Sequence, residues 1–104
     1  MDKTYRITFY LSDGTAVPSM VDASSPVQGI KRLLRINACC TFEQVHPQKI
    51  SEQEIQINKL CINTCYAVVE LLPNMTKKCY EVTVENQNLL SVPKWVNLSR
   101  VGLF

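Results

Sequence analysis

Apolar and polar side chains alternate from Tyr5 to Leu11, a period of two that is typical of a half-buried strand. One face of this strand is apolar and the other mostly polar, with Tyr5, Ile7, Phe9 and Leu11 on the first and Arg6, Thr8 and Tyr10 on the second. Asp13-Gly14 then suits a two-residue turn, because this dipeptide accepts positive φ angles. A hairpin is therefore predicted over residues 5–22, with these facing pairs: Leu11 with Ala16, Phe9 with Pro18, and Ile7 with Met20.

The second strand of this hairpin contains Pro18, which has no backbone N–H to donate to a neighbouring strand. In the predicted register, Pro18 faces Phe9 in a pair without hydrogen bonds, so its nitrogen points away from the first strand. The second strand is therefore predicted to lie at an edge of the sheet, with the first strand further inside.

A helix with strong start signals is predicted over residues 26–37. Ser25 is a favourable N-cap, Pro26 suits the first helical position, and Gln28 completes a capping box with Ser25. Apolar residues follow at helical spacing and form one stripe: Val27, Ile30, Leu33 and Leu34. Asn37 is expected to end the helix in the left-handed conformation.

The segment from Ala38 to Lys49 has no sustained period, and no element is predicted there. After it, Ser51 and Glu54 form a capping box typical of a short helix, whereas residues 54–58 alternate as a strand does. The first pattern is narrowly favoured, as a helical turn that leads into a strand.

A second hairpin is predicted over residues 64–86. Residues 65–72 are apolar on both faces, as expected of a strand that is central in its sheet. Pro73 and Asn74 mark a turn, and residues 78–84 then alternate as a half-exposed partner strand.

The tail, residues 89–104, is too apolar for a disordered terminus and must pack somewhere. Packing on the domain's own core is favoured, because a small domain needs most of its apolar residues there. The alternative is that Trp95 and the final Gly102-Leu103-Phe104 dock on a partner.

The order of a hairpin with an edge strand, a capped helix and further strands resembles the β-grasp, or ubiquitin-like, arrangement over residues 5–36. This resemblance implies an α+β fold with a β-β-α-β-β core, in which the helix packs on the sheet. The chain ends in Gly102-Leu103-Phe104 rather than in the Gly-Gly of conjugated or sulfur-carrying members, so only a binding module is implied. A ferredoxin-like or other α+β sandwich is the alternative, and residues 1–104 are expected to form one domain.

Composition narrows the class of protein. The 104 residues are 46% hydrophobic and 19% charged, and a net charge of +2 does not by itself indicate nucleic acid or an acidic membrane surface. The sequence shows neither a secretory signal nor an apolar run long enough for a membrane span. The protein is therefore expected to be cytoplasmic, with its five cysteines reduced.

The cysteines and the single histidine are residue types that bind zinc: Cys39, Cys40, His46, Cys61 and Cys65. Their spacing argues against a zinc site, because the adjacent Cys39 and Cys40 can hardly chelate one ion and no glycine knuckle accompanies Cys61 and Cys65. A small zinc-binding domain is kept as an alternative, but no metal site and no cofactor is predicted.

A catalytic pair of His46 with Cys39 or Cys40 is disfavoured, because such a pair also needs a stabilised thiolate and an oxyanion hole. The sequence contains no recognisable paired carboxylates, nucleophile elbow or phosphate-binding glycine loop. The protein is therefore predicted not to be an enzyme.

Basic residues cluster in two places and support an alternative function, nucleic-acid binding. The exposed helix face and the second hairpin turn contain Lys31, Arg32, Arg35, Lys77 and Lys78. A solvated helix face explains the same residues, and no strand has the aromatic pattern of an RNA-binding sheet.

Interaction with another protein is the predicted function, as an adaptor, assembly subunit or inhibitor. The partner is expected to be another protein or a second copy of this chain, and an edge strand is one possible rail for it. The candidate contact residues are Arg6, Thr8, Tyr10, Trp95, Leu103 and Phe104.

Overall fold

The computed structural model describes residues 2–11, 14–57, 64–74 and 76–85. In chain order these residues form β1 (Lys3–Tyr10), β2 (Ala16–Ala23), α1 (Pro26–Asn37), a 3-10 turn (Phe42–Gln44), β3 (Val45–Ile50), α2 (Glu52–Ile57), β4 (Thr64–Leu71) and β5 (Thr76–Val84). The five described strands form one sheet in the order β2-β1-β4-β5-β3, and every neighbouring pair is antiparallel. α1 packs on one face of this sheet, across β1 and β2.

The predicted first hairpin is confirmed, but its predicted register is wrong by one residue. The Leu11 N–H donates to the Thr15 carbonyl at 2.9 Å, so three residues rather than two connect the strands. Gly14 has a φ of +89°, as a glycine at the end of such a turn does. Phe9 therefore faces Val17 rather than Pro18.

This shift exchanges the two faces of β2, because neighbouring strand residues point to opposite faces. The inward side chains of β2 are Val17, Ser19, Val21 and Ala23, all buried or half-buried. Pro18 and Met20, which were predicted to face the apolar side of β1, lie on the opposite face and are exposed. The predicted pairs of Leu11 with Ala16 and of Ile7 with Met20 are corrected in the same way.

Both edge strands of the sheet contain a proline. β2 lies at one edge, as predicted, and β3 lies at the other. Hydrogen-bonded and non-hydrogen-bonded residue pairs alternate along an antiparallel ladder. Two backbone bonds show which pairs are bonded here: the bond from the Leu11 N–H to the Thr15 carbonyl, and the bond from the Glu85 N–H to the Gln44 carbonyl at 3.0 Å. By that alternation, Pro18 in β2 and Pro47 in β3 both point their nitrogens toward the open edge, where no ladder bond is lost.

The helix prediction over residues 26–37 is confirmed, with bounds Pro26–Asn37. The Ser25 Oγ accepts a hydrogen bond from the Gln28 N–H at 3.2 Å, as an N-cap does. The predicted end of the helix is corrected: Asn37 is its last helical residue, and the left-handed residue is Cys39, with a φ of 56°. The Leu34 carbonyl accepts from the Ala38 and Cys40 N–H groups, which closes the last turn.

The apolar stripe of α1 forms the centre of the core with the inward residues of the sheet. Ile30 and Leu34 are fully buried, and Leu33 exposes only a trace of its surface. They pack in one cluster with β1 side chains and with inward residues of β3, β4 and β5. The predicted apolar face of β1 is confirmed, since its members are all buried: Tyr5, Ile7, Phe9 and Leu11.

β3 lies in the segment for which the sequence predicts no element. It begins directly after the 3-10 turn and pairs with β5, with Val45 facing Val84 and Ile50 facing Cys79. α2 follows at residues 52–57, which confirms the favoured helical turn, and the Ser51 hydroxyl donates to a Glu54 carboxylate oxygen at 3.2 Å. The alternative of a strand beginning at Glu54 is therefore wrong for residues 54–57.

The second hairpin is confirmed, and its first strand is central in the sheet. β4 lies between β1 and β5, and it is buried along most of both faces. The fold is thus a small α+β domain, as predicted. Its element order contains β3 and α2 in addition to the predicted β-β-α-β-β core, and its strand order does not confirm a β-grasp arrangement.

Candidate functional site

The face of β1 and β2 that points away from α1 brings together residues from both strands. The register places Arg6 opposite Met20, Thr8 opposite Pro18, and Tyr10 opposite Ala16. We call these six residues the outer face: Arg6, Thr8, Tyr10, Ala16, Pro18 and Met20. Three of the predicted contact residues, those of β1, therefore lie side by side on one surface.

The outer face is rich in exposed apolar surface. Met20 exposes 51% of its surface and Tyr10 exposes 39%, and both rank among the large hydrophobic residues that the described chain leaves most open. Ala16 and Pro18 between them are also exposed. Methionine, tyrosine and arginine are enriched in protein interfaces, so this composition is typical of a contact surface.

The sequence prediction includes only the β1 half of the outer face. It missed Ala16, Pro18 and Met20 because the predicted turn was one residue too short. The resulting register assigned these three side chains to the core. The pair Val17 and Val21 is the signal that could have found them, because β-branched apolar residues at that spacing favour the buried face of a strand.

An ion pair fixes the polar end of the outer face. The Arg6 Nε donates to one Glu70 carboxylate oxygen at 3.1 Å, and Arg6 Nη2 donates to the other at 2.9 Å. Glu70 lies directly opposite Arg6 on β4, and its side chain exposes 9% of its surface against 43% for Arg6. This two-point geometry holds the arginine in one orientation.

The ion pair also changes the proton affinities of both groups. The hydrogen bonds from Arg6 are the largest influence on Glu70 and hold the pKa of its carboxyl below the usual range, although burial acts in the opposite direction. The positive charges of Arg6 and Lys77 lower that pKa further. The same bonds raise the pKa of Arg6, so the pair is charged at neutral pH.

The edge of β2 beside the outer face is poorly suited to receive a partner strand. Pro18 lacks the donor at the centre of the edge, and Arg32 donates to the Asp22 carbonyl through its Nη1 atom. Asp22 belongs to a pair without hydrogen bonds to β1, so its backbone N–H and carbonyl point toward the open edge of the sheet. Features of this kind protect edges from strand addition, so the face is a better candidate surface than the edge.

The predicted nucleic-acid residues do not share one surface. Arg32 is engaged with Asp22 and lies 3.8 Å from the Asp2 carboxylate, and Lys31 lies 6.0 Å from the centre of the Phe42 ring. Lys77 faces Glu70 on the side of the outer face, whereas the next residue, Lys78, lies on the side of α1. The structure therefore separates Lys77 from the other basic residues.

The predicted metal ligands that the structure describes do not all meet at one site. Cys39 is exposed, Cys40 and Cys65 are in the core, and the exposed His46 lies 3.0 Å from a Glu85 carboxylate oxygen. Burial raises the pKa of the Cys65 thiol, and the nearby Cys40 adds to this effect. Within residues 2–11, 14–57, 64–74 and 76–85, no group of three or more His, Cys, Asp or Glu residues could hold a metal ion.

Some predicted residues fall outside the part of the chain that the structure describes: Cys61, Trp95, Leu103 and Phe104. The prediction for the apolar tail lies outside it as well. Within the described part, helices are all too short or too polar to cross a membrane. Comparisons with known protein families, with curated proteins and with solved structures find no match to this chain.

Proposed function

We propose that this protein is a non-enzymatic interaction module that binds another protein, or a second copy of itself, through the outer face. The observation that supports this function is the exposure of Met20 and Tyr10 on one face of the hairpin. Apolar side chains that are grouped on a surface, rather than scattered, are typical of contact sites. The cytoplasm is the proposed location, and the β-grasp resemblance of residues 5–36 agrees with a binding role.

The outer face resembles a protein interface in its layout, with an apolar centre and a polar rim. Its apolar members lie together across the two strands, and Arg6 stands at one end, held by Glu70. A fixed arginine costs less side-chain entropy on binding than a free one. Backbone pairing in the hairpin also keeps the spacing of these side chains constant, which favours docking on a preformed surface.

The test compares Met20→Lys with Gln48→Lys. Gln48 is exposed on the same side of the sheet, but it lies on β3 at the far edge. Tagged wild-type protein and both variants are used for affinity purification from a native lysate with mass spectrometry, and analytical ultracentrifugation measures self-association. We expect the wild type and Gln48→Lys to retain the same partner or dimer, and Met20→Lys to lose it.

Circular dichroism checks that both variants remain folded. If Met20→Lys retains every contact of the wild type, the outer face is not the binding surface. If the wild type is monomeric and retains no partner, the proposed function is wrong.

A further inference from the structure

The face of α1 that points away from the sheet is basic and has no acidic residue. Its exposed or half-buried side chains are those of Gln28, Lys31, Arg32, Arg35 and Ile36. No Asp or Glu occurs within α1. The chain as a whole has a net charge of only +2, from 11 basic and 9 acidic residues. The positive charge of α1 is therefore a local feature of this face and does not follow from the composition.

The cations of this face are weakly paired. Arg35 is exposed and forms no ion pair with any described residue. The Lys31 ammonium group also forms none among these residues, and it lies 6.0 Å from the centre of the Phe42 ring. Arg32 lies 3.8 Å from the exposed Asp2 carboxylate, near the outer limit of an ion pair. Because exposed ion pairs are weak in water, most of this positive charge is available to a ligand.

Apolar side chains lie on both flanks of these cations. Lys31 and Arg35 are one helical turn apart and form one row of the helix surface, and Arg32 and Ile36 form the next row. Ile36 exposes 59% of its surface, more than any other large hydrophobic residue in the described part of the chain. On the other flank, Phe42 exposes 41% and lines a groove of about 280 Å³ together with Arg35. A ligand that crosses α1 therefore meets apolar, positive and again apolar surface.

We propose that this face of α1 binds an acidic segment of a partner protein, in which carboxylates lie between apolar side chains. Lys31 and Arg35 contact the carboxylates. Ile36 and Phe42 contact the apolar side chains on either side. Complementary charge brings such partners together and fixes their orientation. This site lies on the opposite side of the sheet from the outer face, so it is independent of the proposed docking function.

The charges argue against two other occupants. Residues 86–104 of the chain itself contain Lys94 and Arg100 but no acidic residue, so their charge does not complement this face. Nucleic acid fits less well, because Glu43 also lines the groove and would repel a backbone that is negative at every phosphate. An apolar side chain of a protein can occupy the groove beside Glu43. In addition, the aliphatic Ile36 offers no ring on which a base could stack.

The test is a titration followed by two-dimensional amide NMR, with the synthetic peptide FLEDEELF as the probe. Two control peptides change one property each: FLQNQQLF lacks the charges, and SSEDEESS lacks the apolar side chains. We expect saturable shifts at residues 31–43 with FLEDEELF, with a dissociation constant below about 1 mM. Each control should bind about fivefold more weakly or worse. If FLEDEELF gives no saturable shifts there, or if either control binds equally well, the proposal is wrong.

Two further measurements test the other occupants. Oligothymidylate is titrated in the same way, and we expect it to bind more weakly than FLEDEELF. Analytical ultracentrifugation compares the wild type with Arg35→Gln, and we expect the two to have the same state of association. Tighter binding of oligothymidylate at residues 31–43 would assign this face to nucleic acid. A dimer that Arg35→Gln abolishes would assign it to a second copy of the chain, and either result would overturn the proposal.

Arg35→Gln and Ile36→Ser assign the contacts, and each should weaken the binding of FLEDEELF about threefold or more. Both positions are exposed and both replacements keep a similar helix propensity, so circular dichroism should find the variants folded. Lys77→Gln and Met20→Ser are the matched controls. Each removes a side chain of the same kind from the other side of the sheet, and each should change the affinity less than about twofold.

The controls also separate this site from the outer face. Equal losses in Arg35→Gln and Lys77→Gln would mean that only net charge matters. Equal losses in Ile36→Ser and Met20→Ser would mean that the peptide does not distinguish the two surfaces, and either result contradicts a site on α1. Neither Arg35→Gln nor Ile36→Ser changes the outer face, so they leave the proposed docking function to be judged by its own test.

Discussion

The side chain of Ile7 occupies the space that a side chain at Gly29 would need. A Cβ atom added at Gly29 would lie 3.0 Å from Ile7 Cδ1 and 3.2 Å from Val21 Cγ1. Carbon atoms normally pack at about 3.5–4.0 Å, so both contacts are too close. Gly29 therefore lets α1 approach the hairpin closely enough to cover Ile7, which is fully buried.

Gly29→Ala is expected to destabilise the protein by about 1 kcal/mol in spite of the better helix propensity of alanine. That propensity favours alanine by about 1 kcal/mol, whereas overpacking a core typically costs about 1–3 kcal/mol. Urea denaturation followed by circular dichroism measures the change. Gln28→Ala, at the exposed neighbouring position, is the control. It keeps the backbone N–H that donates to Ser25 and should stay within about 0.5 kcal/mol of the wild type. A Gly29→Ala variant more stable than the wild type would show that Ile7 and Val21 move aside freely.

The ion pair of Arg6 and Glu70 should make stability depend on pH. Because the pKa of the folded carboxyl lies below its ordinary value of 4.5, the pair stabilises the fold above that value. This stabilisation is lost as the pH falls through the lowered pKa. Glu70→Gln should therefore be less stable than the wild type at about pH 7, and the difference should shrink toward about pH 3.

Denaturation curves at both pH values measure this effect, and the double variant Arg6→Gln/Glu70→Gln completes the cycle. The coupling between the two residues should be present at neutral pH and absent in acid. A difference between the wild type and Glu70→Gln that does not change with pH would contradict a charged pair.

The hydroxyl of Ser19 is buried without a hydrogen-bond partner in the described part of the structure. Ser19 faces Ile7 on the core side of β2. Because a buried polar atom without a partner costs about 1–3 kcal/mol, Ser19→Ala should leave stability unchanged or raise it by up to about 1 kcal/mol. Ser25→Ala is the contrasting control, since it removes the N-cap of α1 and should cost about 1 kcal/mol. A loss in Ser19→Ala as large as that in Ser25→Ala would reveal a partner for the Ser19 hydroxyl.

The described cysteines should differ sharply in their reaction with iodoacetamide. Cys39 is exposed, whereas Cys40, Cys65 and Cys79 are buried. Burial also raises the pKa of the Cys65 and Cys79 thiols, which lowers the fraction of reactive thiolate at neutral pH. Peptide mapping after timed labelling should find Cys39 modified first, and all of them modified after addition of denaturant. Labelling of Cys65 in the folded protein as fast as that of Cys39 would contradict the core packing.

The local elements of this fold were predictable because their causes lie within a few residues of each other. The start of α1 depends on Ser25 and Pro26, and the inward face of β1 depends on alternation from Tyr5 to Leu11. Pro18 likewise indicated an edge strand before its partner residue was known. β3 escaped prediction because its exposed His46 and Lys49 interrupt any apolar pattern, and its pairing with β5 holds it in place.

The composition of the outer face depended on tertiary structure more than the local elements did. Alternation in the sequence is enough to show that Arg6, Thr8 and Tyr10 share a face, since a strand has a period of two. Only the folded chain decided which residues of β2 join them, because one extra turn residue reverses every side chain of that strand. The pairing of Arg6 with Glu70 joins residues that are 64 positions apart. Such contacts follow from strand order and register, which no local pattern in the sequence contains.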